Sequence, residues 1–393
     1  MTQDSGLKRR VGFWLLTIYG VGVMVGAGIY VLVGQVAGET GSWAPLAFIL
    51  AGVVAAPTAV SYAELATRIP ESAGEAAYMR AATGSGQIAA LVGLAVASVG
   101  VISAAAVLQG GIGYLRALVD LPALALIVGI GLLMGFAAVL GVVESLVVAG
   151  ILTLIEVIGL LIVVFAGFSG PALDLPATAF PLSGIAAASL LAFFAFIGFE
   201  DMVNMAEETR NPERNMPLAI ISALAVTTLL YVLVSWAATR TVAGSDLAAS
   251  DSPLALVFER ATDRGAGFLI VIAVAAALNG VLAQIVMASR VLYGLGRFSR
   301  VFSAFHETHP RFRTPTRATG LVTALVILLA AILPLVALAE VTSIVLLIVF
   351  CAVNLALIIL KRQGPGPAFT VPMAVPVVGL FLSLAALVWG VLA

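Results

Sequence analysis

LLAFFAFIGFEDMVNMAEETRNPERNMP, residues 190–217, holds the decisive conflict in this chain: an apolar run fit for a membrane helix meets Gly198 and then, at once, Glu200 and Asp201. A carboxylate at mid-helix costs roughly 2.5–3.5 kcal/mol on insertion scales, so it faces a cavity or a partner rather than lipid. The alternative is that both acids sit at the wet cytoplasmic end of their span. A second stretch poses the same question from the backbone side. GVGVMVGAGIY, residues 20–30, places glycines at 20, 22, 26 and 28. Gly22 and Gly26 form a small-residue packing face, whereas Gly26-Ala27-Gly28 concentrates helix-weakening residues in one turn. N–H groups freed there would make an anion site at a half-helix N-terminus, suited to a carboxylate.

The surrounding sequence is of the same kind. Of 393 residues, 62% are hydrophobic and 10% charged, with a mean hydropathy of +1.17, where a soluble domain carries roughly 25% charge. Apolar runs fall at about 11–37, 43–67, 87–117, 121–142, 145–168, 183–206, 216–239, 265–295, 318–338, 341–360 and 371–393. They reach the ~20 residues that a spanning helix needs. They are too long for barrel strands and do not alternate, so the fold class is an all-α integral membrane protein of about eleven spans. Membrane lipid is therefore a partner. Nucleic acid is not, since the net charge of -1 and pI near 6.1 offer it nothing. Cys351 is the single cysteine and excludes an intramolecular disulfide. His306 and His309 share an arginine-rich loop without acidic companions at metal spacing, so neither a metal site nor a cofactor is expected. The first apolar run is too long for a cleavable signal peptide and is followed directly by another.

Basic residues in short loops stay cytoplasmic. With the N-terminus inside, Lys8, Arg9, Arg10, Arg68, Arg80, Arg210, Arg214, Arg297, Arg300, Arg311, Arg313, Arg317, Lys361 and Arg362 fall on that face, and Arg290 approaches it. Only Arg116, Arg240, Arg260 and Arg264 fall outside. The C-terminus is then expected outside. In LTLIEVIGLLIVVFAGF, residues 152–168, Glu156 has no basic neighbour, so it is expected to be protonated, ion-bound or paired, or to make a structural hydrogen bond to another helix. Glu64 and Arg68 stand at i,i+4 and read as a local pair. SPLALVFERA, residues 252–261, reads as an external amphipathic helix, either a plain surface element or a lid.

Together these pieces resemble the amino acid-polyamine-organocation superfamily of permeases, and in particular bacterial members similar to cationic amino acid transporters. The resemblance lies in GVGVMVGAGI, in SYAELATRIPESAGEAAYMRAATG at 61–84, in FFAFIGFEDMVNMAEETRNPERNMPLAI at 193–220, and in ASRVLYGLGR at 288–297 followed by a basic loop with RTPT at 313–316. It implies a leucine-transporter-like fold in one transmembrane domain, with inverted five-helix repeats at 11–168 and 183–362, an extra helix at 371–393, and the first and sixth helices broken. It also implies that backbone around Gly26, Ala27, Gly28 and Ile29 would hold a substrate carboxylate, while carbonyls of Phe194, Ala195 and Ile197 take its ammonium. Phe194 or Phe196 would serve as an aromatic gate, and Glu200 would belong to the substrate-binding residues. Relatives usually have twelve helices, and many proton-coupled ones carry a lysine where Glu156 stands. A carboxylate there would take a proton, hold Na+ with Asn279, or pair with a cationic substrate. The implied function is secondary active transport of an amino acid across the plasma membrane by alternating access, driven by protons, and not catalysis. Competing readings are a polyamine or organic-cation exchanger of the same fold and a non-transporting amino acid sensor.

Overall fold

In the computed structural model, the described residues are 9, 11–70, 74–140, 146–173, 181–296, 300–309, 311, 314–364, 366 and 369–392. Lys8, Arg10, Arg297 and Arg313 of the charge pattern lie outside them, as does Ser145 at the edge of the fifth run. The chain folds into α1 (Phe13–Thr40), α2 (Ala44–Arg68), α3 (Gly74–Thr83), α4 (Gly86–Arg116), α5 (Ala123–Leu140), α6 (Leu146–Ser169) and α7 (Leu182–Phe194). Then follow α8 (Pro212–Thr241), α9 (Gly244–Ala249), α10 (Pro253–Thr262), α11 (Gly267–Leu295), α12 (Thr316–Ile332), α13 (Leu335–Gln363) and α14 (Ala374–Leu392). The expected apolar runs fall on helices except the sixth, 183–206, which is helical only as far as Phe194 before it turns. In hydrocarbon only a helix satisfies every backbone group within its own segment. Proline opens α2, α8 and α10 where no N–H is required, and the Ser85 hydroxyl caps α4 by accepting from Ile88 N–H.

Among the described residues, seven helical stretches are long and apolar enough to cross a membrane, and four apolar helices are shorter: Phe13–Gly26, Leu182–Phe194, Thr316–Ile332 and Ala374–Gly390. The difference from eleven equal spans has a physical cause in the first and sixth runs. Both are interrupted, and the second half of α1 runs into α2 through a single 3-10 turn at Gly41–Trp43.

Burial follows the logic of a lipid solvent. Leu91, Phe165, Leu229, Val271, Ile332 and Phe381 are more than half exposed on the helix surfaces, which in water would be a liability and in a bilayer is the contact face. The interior is sealed by small residues and aromatic rings, and several of its polar groups form hydrogen-bonded clusters. The Asn354 amide on α13 donates to Thr58 Oγ1 and accepts from Ser61 Oγ on α2. Near the end of α2, Glu64 is fully buried and receives Arg68 and Lys361 at 2.7 Å each and the Val371 N–H at 2.8 Å. The local Glu64–Arg68 pair is thus one arm of a knot that fastens α2, α13 and the segment leading to α14.

On the opposite side, α9 and α10 are seated on α1 and α6, with Leu247, Leu254 and Val257 fully buried. Glycines on α1 permit this: an added methyl at Gly38 would meet the Ala248 side chain at 2.7 Å. The 252–261 stretch is accordingly a helix with one face packed into the molecule and Glu259 and Arg260 exposed on the other. Replacing Glu64 by Gln should strand two cations at a nearly dry site and lower stability by about 3–5 kcal/mol. An unfolding midpoint in detergent equal to that of the unaltered protein would show that the knot contributes nothing.

Candidate functional site

The two interruptions lie against each other. α1 departs from helical geometry at Gly26 (φ 5, ψ -150). α7 stops at Phe194, residues 195–199 turn, and the chain resumes as a 3-10 helix over Glu200–Glu208. Gly198 has φ +125, and a methyl there would sit 3.0 Å from the Val23 carbonyl carbon. On the other side of the crossing, a methyl on Gly28 would lie 3.0 Å from Ala195 Cα. Glycine is therefore required twice, on opposite strands of the crossing, so that backbone can approach backbone. The start of α1 is fastened to the end of the other broken segment too: Val11 N–H donates to Glu208 C=O at 3.0 Å, and Arg210 N–H to Val11 C=O at 2.8 Å.

Three tyrosines hold this crossing. The Tyr231 hydroxyl on α8 stands 2.6 Å from the Met24 carbonyl and 2.7 Å from the Ala195 carbonyl, sharing one proton between the two breaks. Edge-on contacts with Phe48 and Phe196 fix its ring. Tyr114 on α4 donates to the Tyr30 carbonyl at 2.7 Å and accepts from Leu254 N–H of α10. Tyr30 in turn donates to the Glu156 main-chain carbonyl at 2.8 Å.

A cavity of about 30 Å³ opens beside the crossing, lined by Val23, Met24, Gly26, Gly28, Phe194 and Ile197, by Ser103 and Val107 of α4, and by Gly280 and Gln284 of α11. Met24, Ser103, Phe194, Ile197 and Gln284 are each under a tenth exposed. At roughly 10–15 Å³ per water, the space holds about two or three waters. A larger occupant requires the walls to move apart.

Of the residues singled out in the sequence, the fold brings Gly26, Gly28, Phe194 and Ile197 to this cavity. The Ala27 backbone lies in the break itself. Ile29 is fully buried outside the lining. Phe194 faces the cavity, whereas Phe196 turns away to Tyr231 and toward Gly52 of α2. The Ala195 carbonyl is taken by Tyr231, and the Phe194 carbonyl accepts the Ile197 N–H. Glu200 folds back so that Oε2 accepts the Gly198 N–H at 2.9 Å. Asp201 receives the Gln284 amide at 3.4 Å. Glu156 is buried on α6 beside α1, and Asn279 is half-buried on α11 next to the cavity-lining Gly280.

Sequence reasoning missed Tyr231, Ser103, Gln284 and Glu75. Gln284 carried the same signal as Glu156, a polar residue deep in an apolar run. Tyr231 carried none, because a tyrosine in such a run is ordinary. Glu75 lies on α3, which is too short to span, yet it is buried and accepts from Tyr62 Oη at 2.9 Å. Burial pushes its carboxyl above the ordinary 4.5, with its hydrogen bonds, that from Tyr62 among them, pulling the other way.

A family model for amino acid permeases matches residues 11–393. The branched-chain amino acid permease of Bacillus subtilis is 30% identical over 405 residues, covering 95% of this chain and 86% of that protein. The methylthioribose transporter of the same organism is 31% identical over 407 residues, covering 96% and 87%. Cationic amino acid transporter 4, vacuolar, of Arabidopsis thaliana is 32% identical over 387 residues, covering 91% of this chain and 64% of that protein.

Two consequences can be measured. Gly198→Ala forces both a left-handed backbone and a clash with Val23, so it should cost about 1–3 kcal/mol of stability; Gly129→Ala on α5, where an added methyl meets open space, should change little. Because the Glu75 carboxyl is raised, its contribution is complete below 4.5 and is lost as pH climbs through the raised value. Thermal unfolding followed upward from the ordinary carboxyl range should show that slope, and Glu75→Gln should flatten it.

Proposed function

Because the chain belongs to the amino acid permease family of membrane transporters and not to an enzyme family, we propose that it is a secondary active transporter that moves an amino acid by alternating access. The observation that carries this reading is the crossing itself: two interrupted helices meet at an enclosed cavity and present main chain to it. Broken helices at corresponding positions of two halves are how such proteins expose backbone in hydrocarbon. In this reading the N–H groups of Gly26, Ala27 and Gly28 bind the substrate carboxylate, since a half-helix N-terminus favours an anion. The turn after Phe194 receives the ammonium through main-chain oxygen, and Phe194 closes over the ligand.

The arrangement is that of two inverted repeats, 11–168 and 183–362, followed by the extra helix. What supports it is that the principal packing survives exchange of the halves. α1 on α6 matches α7 on α13; α1 on α8 matches α7 on α2. α4 on α13 matches α11 on α6; α4 on α12 matches α11 on α5; α6 on α8 matches α13 on α2. The short helices follow the rule, with α3 on α4 and α13 as α10 is on α11 and α6. One half rocking against the other then opens the cavity to each side in turn. Eleven spans set the N-terminus in the cytoplasm and the C-terminus outside the plasma membrane.

Coupling is to protons, with Glu156 as the carrier. It is buried at the α1–α6 contact, and its own residue anchors Tyr30 two positions after Gly28, so a change of charge there is felt where substrate binds. In proteoliposomes, Glu156→Gln should abolish accumulation driven by a pH gradient while substrate exchange persists. A variant whose uptake keeps the pH dependence of the unaltered protein would remove Glu156 from the cycle. Absence of any solute flux would make the protein a binding sensor instead.

A further inference from the structure

Among the short helices, α3 carries a residue that its register does not call for. Its buried face is Gly74, Glu75, Tyr78, Met79 and Ala82, and positions 75, 78, 79 and 82 form the i, i+3, i+4, i+7 stripe on which an amphipathic helix keeps apolar side chains. Glu75 stands in that stripe and is 6% exposed. The helix lies on α4, on α13 and on the 3-10 segment that resumes after the second break. Its first turn is close to that segment: a methyl on Gly74 would be 3.3 Å from Asn204 Oδ1 and 3.5 Å from the Val203 side chain. Tyr62 of α2 carries the contact inward. Its hydroxyl donates to Glu75 Oε1, and its ring meets Phe199 in the break and Phe350 of α13 edge-on, each at 5.8 Å.

This interface is built for a neutral side chain. Among the described residues, the titratable groups around Glu75 are Tyr62 from α2, Tyr78 from α3 itself, and Glu200 and Asp201 from the 3-10 segment, whose charges would repel its own. The one charged residue of α4, Arg116, is at the other end of that helix. On α13, Lys361 is held by Glu64, Arg362 is exposed and Glu340 lies near the opposite end. No lysine or arginine among the described residues forms a salt bridge with Glu75. Burial raises its carboxyl above the ordinary 4.5, so the docked helix holds it in the neutral form. An apolar side chain would fill the position without that cost.

We propose that α3 is a proton-dependent latch on the cytoplasmic side of the cavity. With Glu75 neutral, the helix stays docked over the end of the second broken segment and the way inward is shut. When that segment parts from α3 and water reaches Glu75, the carboxyl O–H gives its proton to cytoplasmic water, and the carboxylate left behind no longer fits the dry face. Docking is therefore complete below the ordinary carboxyl range and weakens as pH climbs through the raised value. A rising cytoplasmic pH favours the form open to the inside, and acidification shuts it. The latch is separate from Glu156, which lies on α6 beside α1. The inference rests on the transport reading and the orientation given above, and adds a control on when the cavity opens inward.

The test reads the latch directly. In a Cys351→Ser background, Asn204→Cys places a thiol under α3, and Ala81→Cys places one on its exposed face. The ratio of their labelling rates with a maleimide cancels the thiol's own response to pH. As pH is raised from the ordinary carboxyl range, that ratio should climb severalfold, by at most about tenfold per pH unit for one proton. Glu75→Gln, neutral at every pH, should keep it low throughout. A ratio that does not move with pH while Glu75 is present overturns the latch and leaves amino acid transport standing, and this comparison needs no change at Glu75. A slope that survives in Glu75→Gln overturns it as well. In proteoliposomes with equal pH on both sides, substrate exchange should slow on acidification, and Glu75→Gln should be slow at every pH; an unchanged pH profile in that variant removes the gating role. If labelling follows pH but no solute moves at all, the transport reading falls and the gate with it.

Discussion

The structure depends on one close approach. Val23 against Gly198 and Gly28 against Ala195 bring two main chains together where neither can be helical, and everything else in the molecule is arranged to make that tolerable in a medium without water. Unsatisfied carbonyls at membrane depth are expensive. The molecule answers with a hydroxyl from a third helix: Tyr231 reaches a carbonyl from each break at once, its ring wedged between Phe48 and Phe196. A phenol suits the task because it supplies a donor on a rigid apolar arm and brings no net charge.

From the crossing outward, the remaining polar groups fall into two kinds. Some are satisfied and structural, such as Asn354 between Thr58 and Ser61, and Glu64 under Arg68 and Lys361. Others are incompletely met and face space, such as Gln284 Oε1. A protein that crosses lipid has little reason to keep the second kind for stability alone. Glu64 with its two cations lies near the end of α2, where it holds elements together, and Gln284 borders the cavity.

Much of the site could be read from residue order, and the limit is instructive. Gly26 and Gly28 stood out because their spacing concentrates helix-weakening residues in one turn, whereas Phe194 and Ile197 were implied by the family resemblance. The choice between Phe194 and Phe196 was not, since two residues apart in a turn point wherever the turn sends them, and only the fold sends Phe196 to Tyr231. The Ala195 carbonyl, expected to take a substrate ammonium, accepts a hydrogen bond from Tyr231, 36 residues along the chain on α8. Glu200 and Asp201 read as a pair and serve separately, one folding back on Gly198 and the other reaching Gln284.

By itself, the order of residues determined that this chain is an all-α membrane protein and roughly where its apolar helices lie, because hydrophobic length is a local property that lipid converts directly into structure; that the first and sixth helices break was implied by the family resemblance. Tertiary packing alone decided which groups share the cavity, which carbonyls keep a protein partner, and that Glu75, Glu200, Asp201 and Gln284 from three separate elements face a common interior. Those are distances between segments far apart in sequence, set by how helices cross, and no periodicity along the chain encodes them.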